Sequence, residues 1–134
     1  MKNKILIEYV WLDGYSTPNL RSKTKVLDYS EELKGPIKLD SIPEWNFDGS
    51  STLQAEGSKS ECMLKPVRLY RRRGEKDVIV LCEVYNPDGT PHASNTRSKL
   101  HPIRLTKDVP GINDMGFWWG FEQEYFMMKD NSPV

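Results

Sequence analysis

The run from Asp77 to Tyr85 (Asp-Val-Ile-Val-Leu-Cys-Glu-Val-Tyr) constrains this chain more than any other stretch. It is nearly all apolar and rich in β-branched residues. A strand apolar at successive positions is covered on both faces, so it reads as a central strand that needs neighbours. Residues 5–12 (Ile-Leu-Ile-Glu-Tyr-Val-Trp-Leu) have the composition of a second strand. Residues 20–27 alternate: Leu20, Ser22, Thr24 and Val26 share one side, Arg21, Lys23 and Lys25 the other. The Gly- and Pro-bearing turn 13–19 makes the two a hairpin. On the usual placement of Lys and Arg the basic side is a solvated sheet face. The sharper reading is a surface facing an anion or another subunit. Residues 62–70 have mixed β character, and Pro66 marks an edge strand or a bulge. Arg71-Arg72-Arg73-Gly74 reads as a solvated tip, and 86–91 as a turn.

Elsewhere the pattern changes. Residues 29–35 suit a single helical turn closed by Gly35. Ser94-Asn95-Thr96 looks like a helix N-cap, predicting a short helix from Arg97 to about Leu105. Residues 117–128 (Phe-Trp-Trp-Gly-Phe-Glu-Gln-Glu-Tyr-Phe-Met-Met) predict a long strand. The expected fold class is α+β: a β-rich domain over 1–93, then over 94–134 a linking helix and one strand that belongs to something else. On that strand Glu122 and Glu124 share a face with Trp118, Gly120 and Phe126. They read either as solvent-facing acids or as ligands of a hard divalent cation, which prefers carboxylate oxygens. Two carboxylates are too few for a complete Mg²⁺ or Mn²⁺ site.

The stretch Pro43-Glu-Trp-Asn-Phe-Asp48-Gly-Ser-Ser-Thr52 has no clean strand or helix period. Its Asp-Gly-Ser-Ser core is turn chemistry, with Trp45 and Phe47 as anchors. A loop of this composition, presenting Asp48 and several hydroxyls, is more often a site than a connector.

The chain has 134 residues, with 19 basic and 19 acidic side chains and a formal net charge of zero. That balance argues against a nucleic-acid partner. The only cysteines, Cys62 and Cys82, lack metal-type spacing. With no signal-like leader they point to reduced thiols in a cytoplasmic protein, and no segment suits a membrane span.

Four blocks carry a resemblance: Glu-Tyr-Val-Trp-Leu-Asp-Gly-Tyr at 8–15, Leu-Arg-Ser-Lys-Thr at 20–24, the stretch at 43–52, and Gly-Phe-Glu-Gln-Glu-Tyr at 120–125. In order and approximate spacing the chain resembles the N-terminal part of glutamine synthetase, nearest the eukaryotic-like (type II) branch. The resemblance implies a β-grasp domain followed by the start of a larger catalytic domain. It implies a homo-oligomeric ligase with active sites between subunits, joining ammonium to L-glutamate with ATP as co-substrate through a γ-glutamyl phosphate. Glu122 and Glu124 match the first two carboxylates of the family's metal site, one for each of two Mg²⁺ or Mn²⁺ ions, and Glu122 thereby also borders the cofactor. Asp48 matches a loop residue that reaches a neighbouring subunit's site, holds ammonium and takes its proton. Ser51 matches a neighbouring position on that loop. Glu61 departs from the family, standing where a shorter acid follows a Ser. The remaining ligands and the phosphate-gripping arginines would lie beyond residue 134, so the chain by itself is expected to be inactive. The alternative is a stand-alone β-grasp module that modulates assembly of a complete synthetase.

Overall fold

The computed structural model describes residues 4–28, 37–71, 77–99, 118 and 120–134. The chain divides into two units, Met1–Pro102 and Ile103–Val134. Within the first, five strands form one mixed sheet in the order β2-β1-β5-β4-β3. They are β1 (Lys4–Leu12), β2 (Leu20–Asp28), β3 (Trp45–Asp48), β4 (Glu61–Arg71) and β5 (Val78–Tyr85). β1 pairs antiparallel with β2 and parallel with β5, whose other neighbour, β4, is antiparallel and carries β3. The apolar run 78–85 therefore lies at the centre, as its composition requires. The α+β class and the β-grasp arrangement both hold, although the helices among the described residues are short 3-10 turns.

Side-chain alternation builds the core. Ile5, Ile7, Tyr9 and Trp11 of β1 are buried beside Val78, Val80, Cys82 and Val84 of β5. Cys62 and Leu64 of β4 and Phe47 of β3 extend the same face. Burying an Ile or Val in this way contributes about 1.5–3 kcal/mol each. Ile37 and Ile42 join the cluster from the segment before β3. That segment is held by Arg71, which donates to the Ile37 carbonyl at 2.6 Å, and by the Tyr9 hydroxyl, which donates to the Pro43 carbonyl at 2.7 Å. Pro66 produces a register shift between Pro66 and Arg68 within β4. A bulge accommodates its missing N–H in a strand paired to β5 and, over 61–64, to β3.

Three expectations are corrected. First, Arg21, Lys23 and Lys25 lie on the core side of β2, half-buried, while Leu20 and Val26 face solvent. The register Trp11↔Arg21, Tyr9↔Lys23 and Ile7↔Lys25 fixes this. A β-hairpin cannot turn one strand's faces independently of its partner's. The aliphatic stems cover apolar surface and the charged heads find partners at its margin. Second, the stretch 43–52 is not wholly irregular: Trp45–Asp48 is a strand, because pairing with β4 satisfies backbone that local pattern alone left open. Third, no long strand runs through the described part of 117–128. Residues 118 and 120–127 lie outside any ladder, and only a small hairpin follows, β6 (Met128–Lys129) with β7 (Ser132–Pro133). A strand needs a partner for its N–H and C=O groups, and among the described residues the ladder reaches back only to the Met127 carbonyl, which accepts from the Val134 N–H at 2.9 Å. Asp130 and Asn131 turn that hairpin at positive φ, 49° and 62°, which Asp and Asn tolerate.

The expected helix from Arg97 appears as a 3-10 turn over Arg97–Lys99, with the Asn95 carboxamide accepting from the Ser98 N–H at 3.1 Å. The rest of that helix, the turn at 29–35 and Arg72 to Gly74 lie outside the described residues. Cys62 and Cys82 are free and buried. Among the described residues no helix is long and apolar enough to cross a membrane.

Candidate functional site

Asp48 ends β3 and caps the 3-10 turn Gly49–Thr52. The local reason is side-chain capping, in which a short carboxylate accepts from backbone two residues on. Its Oδ1 accepts from the Ser50 N–H at 2.9 Å and from the Ser50 hydroxyl at 2.7 Å. The Ser50 hydroxyl, then the Ser50 amide, then the Ser60 hydroxyl hold the Asp48 carboxyl below the ordinary aspartate range, against a small opposing effect of desolvation. The carboxylate is thus exposed, ionised and held in one orientation.

The turn beneath it is packed tightly. Gly49 N–H donates to the Ser60 carbonyl at 2.7 Å, and a Cβ at Gly49 would come within 2.7 Å of the Cys62 sulfur. Glycine is therefore required there by close approach rather than by φ. Gly49 O accepts from the Gln54 and Ala55 amides at 2.8 and 3.2 Å, which closes the turn.

Beside Asp48 an open concavity is lined by Lys23, Asn46, Phe47, Ser60 and Glu61. Glu61 lies directly across the ladder from Asp48 and accepts from the Asn46 amide at 2.6 Å. Lys23 donates to the Asn46 carbonyl at 2.8 Å and stands over Trp45. Burial and then the nearby Lys25 push the Lys23 ammonium below its ordinary range.

Of the sequence-predicted residues, Asp48 is presented as expected. Ser51 is on the same turn, but its hydroxyl donates to the Asp48 backbone carbonyl at 3.2 Å, while Ser50 serves the carboxylate. Sequence reasoning passed over Ser50. The signal was available, because an Asp commonly captures the group two residues on. Lys23 and Asn46 were missed as neighbours because their placement depends on strand register.

Glu122 and Glu124 lie in the second unit and are exposed. Among the described residues no group of three or more His, Cys, Asp or Glu side chains gathers where a metal could sit. The described residues therefore do not make up a complete Mg²⁺ or Mn²⁺ site.

Comparison with known proteins adds a family to this geometry. No family model matches the chain. It is 47% identical to a glutamine synthetase of Bradyrhizobium diazoefficiens, over 98% of this chain and 35% of that protein. A glutamine synthetase of Rhizobium meliloti is 45% identical over 98% of the chain and 36% of its own length. A chloroplastic glutamine synthetase of Chlamydomonas reinhardtii is 43% identical over 93% and 33%. The chain thus spans about a third of the length of the curated relatives it matches. With the blocks that carry Asp48 and the Glu122/Glu124 pair both inside the matched span, this chain belongs to the glutamine synthetase family and corresponds to its N-terminal portion.

Proposed function

We propose that the chain is the N-terminal part of an ATP-dependent glutamate–ammonia ligase and that its own contribution to the chemistry is Asp48. One observation carries the reading: an exposed carboxylate, held below its ordinary pKa, is fixed on a rigid turn within a segment that matches glutamine synthetases. Such a group attracts NH₄⁺ and orients it through charge-assisted hydrogen bonds. Its lowered pKa favours holding the cation over keeping the proton. Asp48 would pass the proton on rather than store it. Ser51 would steady the turn through the Asp48 carbonyl.

In the complete enzyme the substrates would be L-glutamate, ammonium and ATP, reacting through a γ-glutamyl phosphate. As the family resemblance implies, Asp48 would reach the active site of a neighbouring subunit, and the assembly would be a homo-oligomer. Glu122 and Glu124 would contribute carboxylate oxygens to two Mg²⁺ or Mn²⁺ ions, Glu122 on the cofactor side, once further ligands join them. The protein would act in the cytoplasm with its two thiols reduced.

The experiment is a γ-glutamyl-transfer and ammonium-dependence assay. The isolated chain is expected to be inactive. In a complete synthetase carrying this segment, Asp48→Ala is expected to raise the ammonium KM and lower turnover at limiting ammonium. An unchanged rate at low ammonium removes Asp48 from the role. A chain that is inactive itself but alters the subunit mass or activity of an intact synthetase would instead support the assembly-modulating module.

A further inference from the structure

The turn that presents Asp48 is not held by its own hydrogen bonds alone. Gly14, in the β1–β2 loop, donates its N–H to the Thr52 carbonyl at 2.9 Å. A Cβ on Gly14 would stand 2.2 Å from the Leu53 oxygen and 2.9 Å from the Leu53 carbonyl carbon. Both are backbone atoms that no rotamer change moves aside. Leu53 itself is left-handed, at φ 55° and ψ 36°. A leucine rarely adopts that conformation, and at 60% exposure its side chain gains little there. Strain of this kind persists only where the surroundings over-determine it.

Gln54 supplies the surroundings. It is only 4% exposed, and its Nε2 donates to the Leu12 carbonyl at 3.1 Å and to the Ser94 hydroxyl at 2.8 Å. Its backbone N–H closes the turn onto Gly49, the residue after Asp48. The loop against which all this rests is itself fixed. The fully buried Asp13 carboxylate accepts from the Asn19 N–H at 2.9 Å, the Tyr15 N–H at 3.3 Å and Arg21 Nε at 2.9 Å.

We propose that Gly14 and Gln54 are positioning residues for Asp48: together they lock the 49–55 turn onto the β1–β2 loop and so fix the orientation in which its carboxylate is presented. This rests on the reading of Asp48 as the ammonium ligand. Gly14 lets the turn come this close and holds it through its N–H, and Gln54 ties its far end to β1 and to the segment after β5. A small change at the β1–β2 loop therefore reaches a carboxylate that it does not touch.

The test reads Asp48 itself. Carboxyl titrations by NMR are followed in the unaltered chain, in Gly14→Ala and in Gln54→Met. Asp88 is the internal control, since it is held low by Thr90 in a separate turn. Asp48 is expected to titrate higher in both variants, toward about 3.9, with Asp88 unmoved. Asp48 unmoved in folded variants overturns the proposal. Amide exchange on the unaltered chain decides the matter should either variant fail to fold. The Gly14, Ser50 and Gln54 amides are expected to open together, within about threefold of one rate. A larger spread overturns the lock. Neither readout uses activity. Failure of the ammonium role would leave both results standing, and failure of the lock would leave the ammonium assay untouched.

Discussion

Lys23 Nζ stands 3.5 Å from the centroid of the Trp45 ring, on the side of β2 that its Arg and Lys content assigns to water. Lys25 approaches the same ring at 4.9 Å. A cation over an indole face contributes about 0.5–2 kcal/mol, the upper end when it is desolvated. The hydrogen bond to the Asn46 carbonyl adds roughly 1 kcal/mol. Lys23→Ala is therefore expected to lower stability by about 1–3 kcal/mol in urea unfolding. Ser22→Ala, on the exposed side of the same strand, is expected to stay within about 0.5 kcal/mol. Equal effects at the two positions would return the basic face to solvent.

Asp13 predicts an acid limit. Burial pushes its carboxyl up, but hydrogen bonds from the Asn19 amide, Arg21, the Tyr15 amide and the Asn19 side chain outweigh it and hold the pKa below the ordinary value. The sign follows from linkage. A depressed folded pKa gives stability that is present above the unfolded value near 3.9 and is lost as pH falls through the folded value. Urea midpoints are expected to be level near neutrality and to drop below about pH 4. Asp13→Asn should lower the midpoint at pH 7 and flatten the acid drop. A slope the same as the parent's would show that other carboxylates govern the acid limb.

What the sequence made legible was what depends on local pattern. The central strand at 78–85, the β1–β2 hairpin, the Pro66 bulge and the Asp48 turn follow from apolar continuity, alternation, a missing N–H and Asx capping. What it hid depends on partners distant in sequence. Lys23 belongs to the core side because Tyr9 opposes it across the hairpin. Trp45–Asp48 is a strand because β4 lies alongside. Gln54 matters because Leu12 and Ser94 meet there. The apolar stretch through Phe121 and Phe126 has strand composition, but composition cannot supply a neighbouring ladder.

Tyr9 and Cys82 set an alkaline limit. Burial, with Cys82 nearby, pushes the Tyr9 phenol up to about 12, and burial pushes the Cys82 thiol to about 12. A raised folded pKa means stability that is fully present below the unfolded value and lost as pH rises through the folded one. The decline is expected to start near pH 8.5–10, as unfolded Cys and Tyr begin to ionise, and to be complete by about pH 12. Tyr9→Phe removes the hydrogen bond to the Pro43 carbonyl and should cost about 1 kcal/mol at pH 7. It should also remove the tyrosine share of the alkaline decline. Tyrosinate absorbance followed beside circular dichroism checks this. A phenol that titrates near 10 in the folded chain would refute the burial argument.

Glu122 and Glu124 are exposed, without a third carboxylate or imidazole gathered near them among the described residues. A lone carboxylate pair binds Mg²⁺ or Mn²⁺ poorly, because it offers few of the six octahedral positions and must displace tightly held water to occupy them. The isolated chain is thus expected to show only weak, non-saturating Mn²⁺ broadening at these side chains by NMR. In a complete synthetase carrying this segment, Glu122→Ala or Glu124→Ala should raise the metal concentration needed for half-maximal activity by about tenfold or more, since losing even an outer-shell partner of a metal ligand has that scale. The combined Glu122→Ala/Glu124→Ala variant should fall short of the sum of the two, since two ligands of adjoining ions act as one unit. An unchanged metal titration would leave both glutamates as solvent-facing acids and move the search for the metal ligands entirely outside this segment.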